Sequence, residues 1–511
     1  MFQRKTIGIA TAAFFAVTLW AFVSPQDAEL VFFGNLHSHT SYSDGSATPE
    51  EAFEHARDVA QIDFLALTEH SHGINIPKPN IADDNSLYSG PSSLSLISTA
   101  NRFNQDDRFI AFYGQEFSSI SSGNHSNVFE VGEVIDVSNG EYSELLTDWL
   151  PKNLDSTGQQ ALLLLNHPAT GSSPNDKEYG FDDFDTAAEW RKALDARAQL
   201  INIINGPSHR DGTGLSPGRP SESEFRRYLS LGFHLAPTAD QDNHRQNWGN
   251  STDARTAVIA TELSKEALLE AMRQRRVYAT EDKNLKLVAK INGQMIGSRF
   301  KEGDFTAGNF PSQGQRIVID LHIDDGDEPS ADYEVQVFHG IVGGDRADVA
   351  ITQDLAGNGD HSLQGPIYGG GHEYLFLKIH QTDSEHDTET DRAWLAPWWF
   401  EPSGMPAEPP LQVALLLEVD LVAEEAQITN LGDLEIDMSG CELISVRGDQ
   451  RFRFDEGFKL QAGSSVLVTS GPNHRSQPPS ILDWTSSHVW RNSGDPAELR
   501  NKDGDLIAEQ Q

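Results

Sequence analysis

Short apolar runs separated by polar, helix-like stretches organise the first half of the chain. The runs are VFFGNL from Val31, DFLALT from Asp63, FIAFYG from Phe109, ALLLLN from Ala161, LINIIN from Leu200 and FHLAPT from Phe233. They are apolar almost without interruption, as expected of parallel strands buried on both faces. Between them lie helix candidates. Thr48 to Ala56 opens with a Thr N-cap and Pro49 at the first helical position. Leu263 to Arg276 takes its start at Ser264 and carries Ala267, Leu268 and Met272 at helical spacing. Strand–helix alternation over residues 31–284 predicts an α/β domain of the barrel type.

After about Asn284 the period changes. KLVAKI, RIVIDLHI, YEVQVF and YLFLKIHQ are short strands divided by Gly, Asp and Asn turns, which predicts an all-β domain over 285–401. Residues 402–410, from Pro402 to Pro410, read as a stiff Pro-rich linker. A last β segment, 411–511, has strands near LQVALLL, AQITNL and SVLVTS. At the other end Arg4 and Lys5 precede an apolar run from Ile7 to Val23, followed by Ser24-Pro25-Gln26-Asp27. That pattern reads as a secretory signal over 1–24, with an uncleaved membrane anchor as the alternative because the run is long enough to span a bilayer. The remainder is therefore expected to be exported, periplasmic or extracellular.

Length and composition narrow the chemistry. A chain of 511 residues exceeds what one core organises, so several domains are expected. A formal net charge of -39 disfavours nucleic-acid binding. It leaves a phosphate substrate open, because bound cations invert the local field. Cys441 is the single cysteine, so intrachain disulfides and multi-thiolate metal sites are excluded and any metal is left to imidazole and carboxylate ligands.

Those ligands stand where the apolar runs end. VFFGNL leads into His37 and His39, then Asp44; DFLALT ends in Glu69-His70; FIAFYG ends in Gln115-Glu116. Asn124-His125 opens the next strand candidate, ALLLLN ends in His167, and FHLAPT leads to Asp240, Asp242 and His244. Loops at the carboxyl ends of barrel strands converge on one face. A lone histidine at a strand end is usually structural. So many ionisable groups on one face would repel each other and be costly to bury without cations. The pattern predicts a metal centre.

HSHTSYSDG, LTEHS, GQE, GNHSN, LNHP and DNH, in this order, resemble the motif series of the polymerase-and-histidinol-phosphatase (PHP) superfamily over about residues 31–285. The resemblance implies a distorted (β/α)7 barrel holding up to three divalent metals. It places their ligands on His37, His39, Asp44, His70, Glu116, His125, His167, Asp242 and His244, with Glu116 bridging and Glu69 and Asp240 as supporting neighbours. ELSKEALLEAMRQRRVYATEDKNL, INGQMIGS and DRAWLAPWWF are similar to the carbaryl-hydrolase-like (CehA/McbA) branch, in which a β domain follows the barrel. The helix and RRVYATED would close the barrel, the alternative being an anion contact by Arg275 or Arg276. ITNLGDLEIDMSGCELIS and the segments after it resemble a lamin-tail domain, an immunoglobulin-like β-sandwich, with Cys441 buried where tryptophan often stands. Such a module would present the enzyme at a cell surface or polysaccharide, or serve structure alone. No EF-hand loop is visible in it.

Water bound between divalent cations loses a proton near neutral pH and becomes the nucleophile, with Glu116 and Asp242 as the catalytic carboxylates. Mn, Zn or Fe suits this ligand set. Substrate contacts are expected from His72, His209, Arg210 and Arg245, a guanidinium clamping phosphate or carboxylate. The function expected is a hydrolase of small-molecule esters, with phosphate mono- or diesters favoured and carboxylic or carbamate esters as the alternative. A non-catalytic metal or surface-binding protein is the reading from another class.

Overall fold

Thr48 illustrates how local sequence starts an element. Its side chain accepts from Glu51 N while the Glu51 carboxylate reaches back to the Thr48 backbone, a closed capping box. The helix accordingly runs Pro49–His55 and buries Ala52 and Phe53. Ser264 caps Lys265–Arg273 by accepting from Ala267 N, without a returning side chain, and the helix buries Leu268, Leu269 and Met272.

The computed structural model describes residues 29–72, 80–118, 124–168, 179–301, 311–381, 391–402, 415–430, 436–448, 450–461, 464–492, 494–502 and 506–510. The signal or anchor expected over 1–24 and the linker from 403 onward lie outside them. Among the described residues no helix is long and apolar enough to cross a membrane.

The first half contributes β1 (Leu30–Asn35), β2 (Phe64–His70), β3 (Ile110–Phe117), β4 (Ser126–Phe129), β5 (Leu163–Leu165), β6 (Ala198–Asn205), β7 (Ala236–Asp240), β8 (Arg255–Ala260) and β9 (Val277–Thr280). β2 and β3 are buried along their whole length, which is why their sequences do not alternate. β1, β2 and β3 pair in parallel, and so do β5, β6 and β7. The expected all-parallel arrangement is corrected at two places: β4 runs antiparallel to β3 and β5, and β8 antiparallel to β1 and β9. The physical reason at β4 is the connection. Residues 118–125 alone separate it from β3, too few for the crossover that a parallel pair needs.

The ladder ends at β7, and side chains make the return to β1 and β8. Leu36 N donates to Asp240 Oδ1 (2.6 Å), Gln241 N to Asn35 Oδ1 (2.9 Å) and Ala239 N to Thr256 Oγ1 (3.0 Å). Ser38 and Asn243 form an isolated parallel bridge just beyond. The carboxyl ends of β1 and β7 are thereby held side by side.

The β-rich segment follows with β10 (Lys286–Ile291), β11 (Gln294–Met295), β12 (Arg299–Lys301), β13 (Arg316–Asp324), β14 (Asp332–Ile341), β15 (Asp348–Ala356), β16 (Gly359–Ile367), β17 (Glu373–Gln381), β18 (Arg392–Leu395) and β19 (Trp398–Glu401). β9 pairs with β18, so the first sheet continues across position 284. β10, β11, β13 and β16 form a second sheet. Phe33, Leu268, Met272, Leu287, Ile319, Leu377 and Trp398 belong to one continuous core. The change of texture near Asn284 is thus a change of strand exposure, not a break in the hydrogen-bonded sheet.

The C-terminal region packs two four-stranded sheets. Leu415–Asp420, Glu425–Asn430, Ser465–Ser470 and Ile481–Thr485 form one, and Glu442–Ser445, Gln450–Arg453, Ala497–Arg500 and Leu506–Gln510 the other. Leu417, Ile428, Cys441, Leu443, Val466 and Leu499 fill the space between them. Cys441 is buried there, and burial raises its thiol above the usual value.

Lys265 gives a stability prediction. Its Nζ lies 2.9 Å from both oxygens of the fully buried Glu130, at the end of β4. Lys265→Ala leaves that carboxylate without its cation, and urea denaturation should show a loss of about 3–5 kcal/mol. A loss under about 1 kcal/mol would mean that the donors Tyr113 N and Ser156 Oγ satisfy Glu130 alone.

Candidate metal centre

Alternation along extended chain decides which side chains enter the site. His37 and His39 leave β1 two residues apart, and their Nε2 atoms sit 3.2 Å from each other. On β2 the neighbours Glu69 and His70 point to opposite sides. His70 faces the centre. Glu69, fully buried, takes hydrogen bonds from Thr40 N (2.9 Å), Thr40 Oγ1 (2.5 Å) and Ser43 Oγ. Ser43 Oγ lies 3.3 Å from His39 Nδ1, so Glu69 orients the His39 ring through the loop it holds. Asp240 supports the far side, accepting from Leu36 N, Asn202 Nδ2 and Thr256 Oγ1.

Glu116, at the end of β3, is the hub. Its Oε1 lies 3.3 Å from His37 Nε2, 3.0 Å from His125 Nδ1 and 3.2 Å from His167 Nε2. Its Oε2 lies 3.3 Å from His39 Nε2 and 3.0 Å from His70 Nδ1. Asp242 Oδ1 is 3.4 Å from His37 and 3.3 Å from His39. Asp44 Oδ1 is 3.1 Å from His244 Nε2 and 3.5 Å from His70 Nε2. Three sets of donor atoms, each within 4.8 Å, result: His39, Asp44, His70 and His244; His37, His39 and Asp242; His37, Glu116 and His167. His125 falls outside these sets and adjoins them through Glu116.

These clusters could hold metal ions, and the donor atoms fit that use. Among the described residues Asp44 Oδ1 and His70 Nδ1 are buried without a hydrogen bond, although partners stand 3.0–3.5 Å away. Close approach of several ligand atoms without hydrogen-bond alignment is compatible with their facing shared points when the imidazoles are neutral.

The electrostatics agree. Burial raises Glu116, and His37, His125 and His70 outweigh it, holding the carboxyl well below its usual range. Asp44 and Asp242 are likewise opposed by burial and pulled below the carboxylate range by neighbouring imidazoles. Burial lowers His70, yet Glu116 and Asp44 lift it to about 9. Against the same burial, carboxylates raise His39 and His167 as well. His125 is lowered, burial prevailing over Glu116.

Backbone strain gathers at the same place. His167 (φ 27°), Asp242 (φ 48°), Asn124 (φ 55°) and Ser208 (φ 57°) all occupy the left-handed region. Such conformations cost on the order of 1–3 kcal/mol each and persist where surroundings fix them.

The four residues expected to touch substrate lie around the centre. His72 is half-buried with its ring 4.9 Å from that of His70, and burial and the imidazoles of His70 and His125 push it down to about 4. His209 is exposed, its ring 3.8 Å from His244, and burial and His244 lower it. Arg245 is exposed, but its Nε donates to His209 O (3.0 Å) and stands 3.8 Å from Asp211. It braces the loop that carries His209 and the exposed Arg210. Arg275, read as a possible anion contact, instead donates to the His234 carbonyl, next to the His234–Asp195 and His234–Glu401 pairs.

Sequence reasoning passed over Asn166 and Asn205. Asn166 Nδ2 donates to Glu116 Oε1 (3.0 Å) and Asn127 Oδ1 (2.8 Å), and Asn205 Nδ2 to Asp242 Oδ2 (3.0 Å). The signal was present, since both close apolar runs, ALLLLN and LINIIN. Glu69→Gln weakens the acceptor behind His39, and metal affinity measured by chelator competition should fall roughly 10–100-fold. Unchanged affinity would show that the 39–44 loop holds itself.

Residues 281 in number align at 24% identity with an uncharacterized protein of Chlamydia muridarum, covering 52% of this chain and 42% of that protein. An uncharacterized protein of Chlamydia trachomatis is 22% identical over 398 residues, 73% of this chain and 57% of that protein. The chain thus spans less than two thirds of the length of these curated relatives. A solved two-domain protein from Bacteroides vulgatus, containing a predicted PHP-like metal-dependent phosphoesterase, is similar at a TM-score of 0.35 and 16% identity, covering 70% of this chain and 92% of that one. Residues 418–511 match the Lamin Tail Domain family.

Proposed function

We propose that the chain is an exported metal-dependent hydrolase of the carbaryl-hydrolase-like branch of the PHP superfamily, acting on phosphate mono- or diesters. The observation that carries this reading is the convergence of the three donor sets around Glu116, whose two oxygens face different histidines as those of a bridging carboxylate would. Divalent ions bound there supply Lewis acidity and a nucleophilic water near neutral pH.

The chain's residues contribute the rest. Three divalent ions against the three carboxylates Asp44, Glu116 and Asp242 leave a net positive site in a protein of charge -39, which favours an anionic substrate. Asn205 and Ser208 hold Asp242 Oδ2, leaving Oδ1 toward the histidines. Asn166 and His125 fix Glu116 Oε1 in the same way. His72 is neutral at neutral pH and borders His70, where it can donate to a substrate oxygen. The His209 ring lies against His244, and the exposed Arg210 follows it in the same loop.

One observation favours the second reading, a carboxylic or carbamate ester. The Arg245 guanidinium is engaged with His209 O, which lessens its use as a phosphate clamp. The test is hydrolysis by the full chain after chelation and Mn or Zn reconstitution, on aryl phosphate mono- and diesters beside an aryl ester and a carbamate. Metal-restored phosphate release that His70→Ala lacks is the expected result. Turnover of the ester or carbamate alone moves the assignment to the second reading. We assign the C-terminal sandwich to presenting the enzyme at a surface, with its substrate a small molecule reached through the N-terminal half.

A further inference from the structure

A second group of ligand atoms lies where the N-terminal half meets the β-rich segment. Asp282 follows β9 by two residues, and Asp325 and Glu328 sit in the turn after β13. One oxygen from each lies within 4.8 Å of the others. Asp282 and Asp325 are buried. The nearby cations are turned elsewhere: Arg255 donates to the Thr252 and Ala254 carbonyls, and Lys283 pairs with Asp327 at 2.9 Å. Burial and the adjacent carboxylates raise Asp282 and Glu328 above their ordinary range.

Two polar groups complete the surroundings without partners of their own. Tyr333 on β14 stands directly opposite Gln381 on β17. Gln381 Nε2 donates to Asp325 Oδ2 (2.9 Å) and Glu328 Oε2 (3.2 Å), while its Oε1 is buried with no hydrogen bond among the described residues. The Tyr333 hydroxyl, on a residue 1% exposed, has none among them either. Burial raises this phenol first, and the charges of Asp325, Asp282 and Glu328 raise it further. Rotating the Gln381 amide by half a turn exchanges its oxygen for its nitrogen and brings the carbonyl to the carboxylates.

We propose that Asp282, Asp325 and Glu328, completed by Gln381 Oε1 and the Tyr333 hydroxyl, bind a calcium ion that clamps the end of β9 to the β-rich segment. The donors are all oxygen, three of them carboxylates, which selects a hard cation of flexible geometry. No imidazole is among them, and this separates the site from the histidine centre in metal preference. The cation neutralises three like charges at the first crossing from the first sheet to the second, between β9 and β10.

The test uses the full chain with its histidine centre loaded with zinc and excess zinc removed. Terbium(III) is the luminescent probe, sensitised by Tyr333, and calcium is the competitor. One terbium site displaced by calcium is expected, with affinity lowered at least roughly tenfold by Glu328→Gln and by Asp325→Asn. Calcium should raise the melting temperature of the parent and not of Glu328→Gln, with zinc content equal in both. Terbium binding unchanged in both variants would overturn the proposal. So would absence of sensitised emission at millimolar calcium-replaceable terbium, or a calcium effect that follows zinc content instead of Glu328.

Discussion

Glu116→Ala should empty the histidine centre and abolish metal-restored hydrolysis. The carboxylate lies within 3.3 Å of five imidazoles, His37, His39, His70, His125 and His167, so its removal affects every part of the cluster at once. The loss of activity should go well beyond the roughly 10–100-fold that removal of an outer-shell partner costs. The metal-free chain should also lose about 3–5 kcal/mol of stability, because buried imidazoles are left with less neutralising charge. Glu116→Gln preserves the shape and separates the two effects: it should keep more stability than the alanine variant and still lose metal. Elemental analysis, denaturation and phosphate release read these outcomes. Activity within about tenfold of the parent would remove Glu116 from the mechanism.

The second large effect is a pH dependence that reverses with metal. In the metal-free chain His70 titrates at about 9 against an ordinary 6.5. A raised pKa contributes stability that is complete below 6.5 and is lost as pH rises through about 9, on the order of 3 kcal/mol for His70 alone. His39 and His167 are shifted in the same direction and add to it. Asp44, Glu116 and Asp242 are depressed, so their contribution persists down to strong acid. Metal binding displaces the imidazole protons and therefore strengthens over the same interval in which the metal-free chain weakens. The difference in melting temperature between loaded and chelated protein should widen from pH 6.5 to 9. A constant or narrowing difference would contradict the assignment of these histidines as ligands.

Much of this site is legible in the sequence because strands impose it. Apolar runs long enough to be buried mark β1, β2, β3, β5, β6 and β7, and a ligand candidate at or just beyond the carboxyl end can be named for all of them but β6. His37 with His39, and Glu69 against His70, follow from the two-residue period alone. What escapes the sequence depends on partners far along the chain. β4 is four residues long, and its direction is set by the short connection before it. β9 pairs with β18 more than a hundred residues later, so no local change at Asn284 reveals that the sheet continues. β15 alternates between exposed and half-buried positions and lacks the apolar signature of a core strand. Arg245 looked available for substrate because nothing in its neighbourhood shows that His209 O lies 3.0 Å from its Nε. The Asp282, Asp325 and Glu328 cluster draws on two turns, and Tyr333 and Gln381 join it only through sheet register.

The most direct measurement is the divalent metal content of the purified full chain, determined by elemental analysis after chelation, reconstitution with Zn or Mn and removal of excess ion. Three donor sets gathered around the Glu116 carboxylate predict up to three such ions per chain, and fewer in His70→Ala. Absence of stoichiometric Zn or Mn in a folded parent would contradict the account at its centre.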